Sequence, residues 1–154
     1  MILLILQLMV CGITALLAGS YFGVSLVDLP AQHSLSAASY IEIQQASTRL
    51  GTIRYRALVL TTAFLHLCLL LFLHTWTMRV FQFTLLSLLL VIGAILTTVV
   101  LVVPINKRVH TWNRQAPPSN WKEAQTKWHR YHYLRTMFVM MALILQLIAL
   151  RLLG

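Results

Sequence analysis

ALVLTTAFLHLCLLLFLHTWTMRVFQFTLLSLLLVIGAILTTVVLVVPIN (residues 57–106) holds a single charged residue, Arg79. A membrane-spanning helix takes about 20 apolar residues, so this run reads as two spans folded back tightly at Trp76–Arg79. Two more uncharged stretches flank it, Met1 to Val27 and Thr136 to Leu150. The first is long enough to span; the last becomes so when about 20 residues are counted back from Arg151, which reaches His132. The expected fold is an all-α integral membrane four-helix bundle, one domain over residues 1–154. Its spans lie near 2–27, 57–76, 80–103 and 132–153, its loops at 28–56 and 104–131, and its fourth helix extends beyond the membrane.

Composition agrees. Of 154 residues, 59% are hydrophobic and 10% charged, with a mean hydropathy of +0.80. Soluble domains carry roughly 25% charged residues, so this chain has too little charge to coat a water-facing surface. Its 6 Gly, 4 Pro and 2 Cys also exclude a collagen-like repeat, a disordered chain and a disulfide scaffold. Cys11 and Cys68 fall in different spans without CxxC spacing, which reads as two inert buried thiols. The N-terminal run has no basic region ahead of it and exceeds the apolar length of a signal peptide, so it reads as a retained first span.

An even number of spans puts both termini and Arg79 on one side. The other side holds Arg49, Arg54, Arg56, Lys107, Arg108, Arg114, Lys122, Lys127, Arg130 and Arg135, 10 of the 12 basic residues. Basic loops stay cytoplasmic, which predicts termini outside and both long loops inside. The net charge of +9 then reflects orientation and contact with anionic membrane lipid, and calls for no nucleic acid.

Ala15, Gly19 and Gly23, with Gly12 nearby, place small residues about every fourth position of the first span, the pattern of a close helix–helix seam in lipid. That seam is expected within the bundle, with a homo-oligomer as a further use of it. Pro118 steers the residue before it away from helix. Asn120 and Glu123 have the spacing of a capping box, so the fourth helix is expected to start near Trp121.

On that helix Trp128, His132 and Arg135 stand at i, i+4 and i+7, on one face. Ionisable groups at the edge of the hydrocarbon mark functional sites by default, and an aromatic plate, a titratable base and a fixed cation on one face suit a pocket wall. The other reading of Arg135 is snorkelling to headgroups. His129 and Lys122 lie on another face and read as solvated or headgroup-facing. His66, mid-span, reads as an interhelical hydrogen-bonder. His74 lies about 80° away around the helix, and neither has a partner histidine at matching depth for a haem.

Three segments carry a family resemblance: Ser25-Leu-Val-Asp-Leu-Pro-Ala31, Val103-Pro-Ile-Asn-Lys-Arg108, and Trp128-x3-His132-x2-Arg135. In order and spacing the chain resembles the anthrone-oxygenase-like family of small four-helix membrane proteins. Some bacterial relatives have Glu-His-Pro where this chain has Asp28-Leu29-Pro30, so the acid is kept and the histidine is not, unless His33 substitutes. The resemblance implies a bacterial inner-membrane protein and dioxygen-dependent oxidation of a hydrophobic, electron-rich aromatic at an activated methylene, with no cofactor expected.

For that chemistry His132 suits the base, Arg135 and Asn106 the donors to a developing oxyanion, and Asp28 the partner that orients His132. Trp128 would stack on the substrate with Tyr131 or Trp112 nearby, and Arg54 is a further substrate contact. Each has an alternative. Asn106 suits a helix cap, the tryptophans an interfacial belt, and Asp28 a structural ion pair with Arg54 or Arg56. An iron or copper site from His132, His129, His33, Glu42 and Asp28 is the metal-dependent alternative. A non-enzymatic accessory subunit or binder of lipid or small molecules is the other class; continuous spans and unlike halves speak against transport.

Overall fold

The computed structural model describes residues 1–73 and 78–153. The expectations for His74 and Trp76, and the tip of the expected hairpin, fall outside the described residues. Helix α1 (Ile2–Gly23) passes through a π-helical turn (Val24–Asp28) into the short α2 (Leu29–Gln32). Then come α3 (Ala37–Phe72), α4 (Arg79–Thr97), a second π-helical turn (Thr98–Val102), α5 (Val103–His110) and α6 (Trp121–Leu153). No strand occurs among the described residues.

These segments make four continuous apolar rods, Ile2–Gln32, Ala37–Phe72, Arg79–His110 and Trp121–Leu153, the build of an integral membrane protein. At 1.5 Å per residue each is about 45–55 Å long, well beyond a hydrocarbon core of about 30 Å. The segments expected as loops are therefore largely helical, and the described connections at this end shrink to 33–36 and 111–120. We call this the loop end, and the opposite end, with both termini, the terminal end.

Two prolines explain the continuity. Proline lacks the N–H that closes a helical turn and its ring crowds the preceding turn, and a π-helical turn accommodates such an interruption. Pro30 and Pro104 each stand two residues beyond a π-helical turn, so both helices pass their proline unbroken. Helix α3 starts at Ser36, whose Oγ accepts from the Ser39 N–H at 3.3 Å. Helix α6 starts at Trp121 as expected, but Glu123 pairs with Lys127 at 2.7 Å.

Helix α6 packs chiefly on α4 and α1, and α3 on α1 and α4, so the rods close a ring in the order α1, α3, α4, α6. The core is tiered. Val10, Leu69, Leu73, Val80 and Ala149 fill the terminal end; Leu17, Ala18, Tyr21, Ala94 and Val139 the middle. Leu29, Val102 and Trp128, then Tyr40, Ile41 and Val109, fill the loop end.

Polar ties link the rods between these tiers. The Gln7 side-chain amide donates to Gln146 Oε1 at 2.7 Å. His66 meets Ser87 Oγ at 2.9 Å, and Ser87 donates to the Ala142 carbonyl, which bears out His66 as an interhelical hydrogen-bonder.

The small-residue stripe of α1 corrects its expectation. Gly12, Ala15, Gly19 and Gly23 are exposed, and an added Cβ at each of the three glycines would meet nothing within 4 Å. The opposite face turns inward because Gln7 and Thr14, fully buried, need partners that lipid does not provide.

Candidate functional site

The i, i+4, i+7 spacing brings Trp128, His132 and Arg135 to one place, between α6, the end of α1, and α5. His132 is 1% exposed. Its Nε2 lies 3.0 Å from the Tyr21 carbonyl oxygen; a carbonyl only accepts, so Nε2 carries the hydrogen. Nδ1 is then a lone pair, and the Arg135 guanidinium donates to it from Nε at 3.1 Å and from the Nη2 side at 2.6 Å. Trp128 stacks on the imidazole, ring centroids 5.3 Å apart and planes 12° from parallel.

The indole N–H of Trp128 donates to Asn106 Oδ1 at 2.9 Å, and the Gln44 amide donates to the same oxygen at 3.0 Å. Asn106 thus ties α5 to α6 and α3. The guanidinium carbon of Arg135 sits 4.7 Å from the Tyr21 ring centroid and 5.6 Å from that of Trp128. Two aromatic faces and one imidazole nitrogen surround this cation.

No carboxylate balances it among the described residues. The chain has three acidic residues. Glu42 pairs with Arg114 at 3.0 Å and Glu123 with Lys127. Asp28 is exposed and has no ion pair or hydrogen bond among the described residues. Asp28 therefore orients nothing here: His132 is oriented by a backbone carbonyl and a guanidinium. Nor does Asp28 pair with Arg54 or Arg56 as the alternative reading supposed.

Other expected residues are dispersed. Tyr131 packs beside Trp128 in the tier of Leu29 and Val102. His129, expected on an outward face, is 4% exposed; its Nε2 meets Gln32 Oε1 at 3.1 Å, and its ring stands edge-on to His33 at 5.0 Å. The five residues considered for iron or copper do not converge: no group of three or more His, Cys, Asp or Glu that could hold a metal ion occurs among the described residues. Glu42 is taken by Arg114, and the His132 lone pair by Arg135.

Arg54 lines an open cleft of about 420 Å³ between α1 and α3, with Ser20, Ser47, Leu50, Tyr55 and Leu58. Gly51 underlies it, where an added Cβ would approach the Tyr55 ring to 3.3 Å. The Tyr55 ring meets that of Tyr21 at 5.8 Å. Tyr21, Tyr55 and Gln44 were not foreseen. Tyr21 serves through its carbonyl, which residue type does not reveal, though Gln7, Thr14 and Tyr21 recur at sevens on one face and mark it as inward.

The sequence model of the anthrone oxygenase family matches residues 45–145. No curated protein and no solved structure matches the chain. The matched region holds Arg54, Tyr55, Asn106, Trp128, His132 and Arg135, and excludes Tyr21, Asp28 and Gln44. Since it covers well over half of the chain, the protein belongs to the anthrone oxygenase family.

Proposed function

We propose that the protein is a membrane oxygenase that oxidises an electron-rich aromatic at an activated methylene, with Arg135 holding the anion formed. The observation that carries this reading is the Arg135 guanidinium, lodged between two rings with no acid to neutralise it. A cation so placed favours a substrate that becomes negative as it reacts, because fixed donors aimed at developing charge are often the largest catalytic contribution.

The overall change is CH2 + O2 → C=O + H2O. Loss of one methylene proton gives an anion whose charge rests on a phenolate oxygen. That anion passes one electron to dioxygen, and recombination of the two radicals forms the C–O bond of a hydroperoxide. Loss of the second hydrogen as a proton, with hydroxide leaving from the O–O bond, gives the carbonyl and water. As the substrate's carbonyl oxygen, which becomes the phenolate, takes over the guanidinium donors, Nδ1 of His132 is released to accept the first proton, which it then returns to the peroxide anion. Trp128 and Tyr21 supply the aromatic walls. The loop end, with most of the basic residues, faces the cytoplasm in this reading.

Oxygen uptake on an anthrone by purified protein tests it. Arg135→Lys keeps the charge and loses the planar fork, and is expected to slow turnover by roughly 10²-fold, the scale of one lost oxyanion donor. His132→Gln is expected to be similarly slow. Correctly folded variants that turn over at the parental rate overturn the reading.

A further inference from the structure

The cleft between α1 and α3 is separate from Arg135 yet joined to it by contacts. Tyr55 lines the cleft, its ring meets Tyr21, and Tyr21 carries Arg135 on its ring. Depth agrees: Ser20, Arg54 and Arg135 each stand eighteen residues from the terminal end of their helix, at Ile2, Phe72 and Leu153. At 1.5 Å per residue that is about 27 Å, the far edge of a hydrocarbon core about 30 Å thick.

At this level the cleft offers a split surface. Leu50 and Leu58 are apolar and Tyr55 is aromatic, while Arg54 has no ion pair or hydrogen bond among the described residues. Its volume falls in the range of small-molecule sites, about 300–1,000 Å³. Arginine without an acid suits a carboxylate, which it grips with two parallel hydrogen bonds.

We propose that this cleft holds the acidic group of an amphipathic aromatic acid, with Arg54 as its counter-charge. The substrate of the Arg135 site then carries a carboxylate remote from the carbon that is oxidised. The exposed ring of Tyr55 in the cleft favours a flat aromatic body over a lipid's acyl chains. This inference rests on the reading of Arg135 given above.

The test is binding of anthraquinone-2-carboxylate and of anthraquinone to the full chain in phosphatidylcholine nanodiscs. Both probes are already oxidised, so the measurement is independent of turnover. The parental protein is expected to prefer the carboxylate. Arg54→Gln is expected to lower that preference roughly tenfold, the scale of a charge-assisted hydrogen bond, and Arg54→Lys, which keeps the charge but not the fork, to restore only part of it. A preference near unity, or one that Arg54→Gln leaves in place, overturns the proposal. So does a phosphatidylglycerol molecule that native mass spectrometry finds on the parental protein, that Arg54→Gln sheds, and that abolishes the carboxylate preference; the cleft is then a lipid site. A protein that keeps the Arg54-dependent preference but consumes no oxygen discards the oxidation reading alone.

Discussion

Trp128 does two jobs that substitution separates. Its ring lies flat on His132 while its N–H holds Asn106. Trp128→Phe keeps a ring on the imidazole and loses one hydrogen bond, which costs about 1 kcal/mol, moderated because Gln44 still donates to Asn106. Trp128→Ala removes the ring as well and is expected to cost about 3–5 kcal/mol. Thermal unfolding in detergent should order the three proteins accordingly; equal losses for Phe and Ala would assign the whole contribution to the N–H. At this scale the face formed by Trp128, His132 and Arg135 was legible, because helical spacing alone aligns them. Gln44 was not, since an amide in a segment read as a loop has no predictable partner.

The π-helical turns decide what the proline-bearing helices present to the site. Gln7, Thr14 and Tyr21 all turn inward, and another seven residues lead to Asp28. The turn Val24–Asp28 spends an extra residue there, so the inward place passes to Leu29 and Asp28 faces out. An acid at a plausible distance in sequence was thus misread by one residue of register. The second turn sets Asn106 in the same way. Pro104→Ala restores an N–H and removes the need for the wide turn, and a one-residue change of register rotates Asn106 by about 100°. We expect slower oxygen uptake and shifted tryptophan emission, with an unfolding temperature equal to or above that of the parent. A rate that survives intact would show that Asn106 is not needed where it stands.

The four-rod frame was legible from the spacing of charges, because hydrocarbon tolerates little else than long apolar helices. The length of the rods beyond the membrane was not, since polar helical segments such as 37–56 share their composition with loops. Basic residues gather at the loop end, and this distribution sets the expected orientation. Single cysteines at Gln115 and near the N-terminus, in a background with Cys11 and Cys68 replaced, should react oppositely with an impermeant maleimide on intact cells. The N-terminal one labels directly, and the one at 115 only after permeabilisation. The reverse pattern would overturn the orientation.

The shared depth of Ser20, Arg54 and Arg135 has a consequence for how the protein would meet the substrate proposed for it. Under the proposed function, a cleft bordered by lipid-facing helices at one level of the bilayer would draw on molecules dissolved in a single leaflet, and nothing would have to cross the membrane for turnover. The concentration that governs the rate is then the mole fraction of substrate among the lipids, not its molarity in water. Adding inert phospholipid to proteoliposomes at fixed total substrate should slow the reaction in proportion, and the product should remain in the leaflet from which the substrate came.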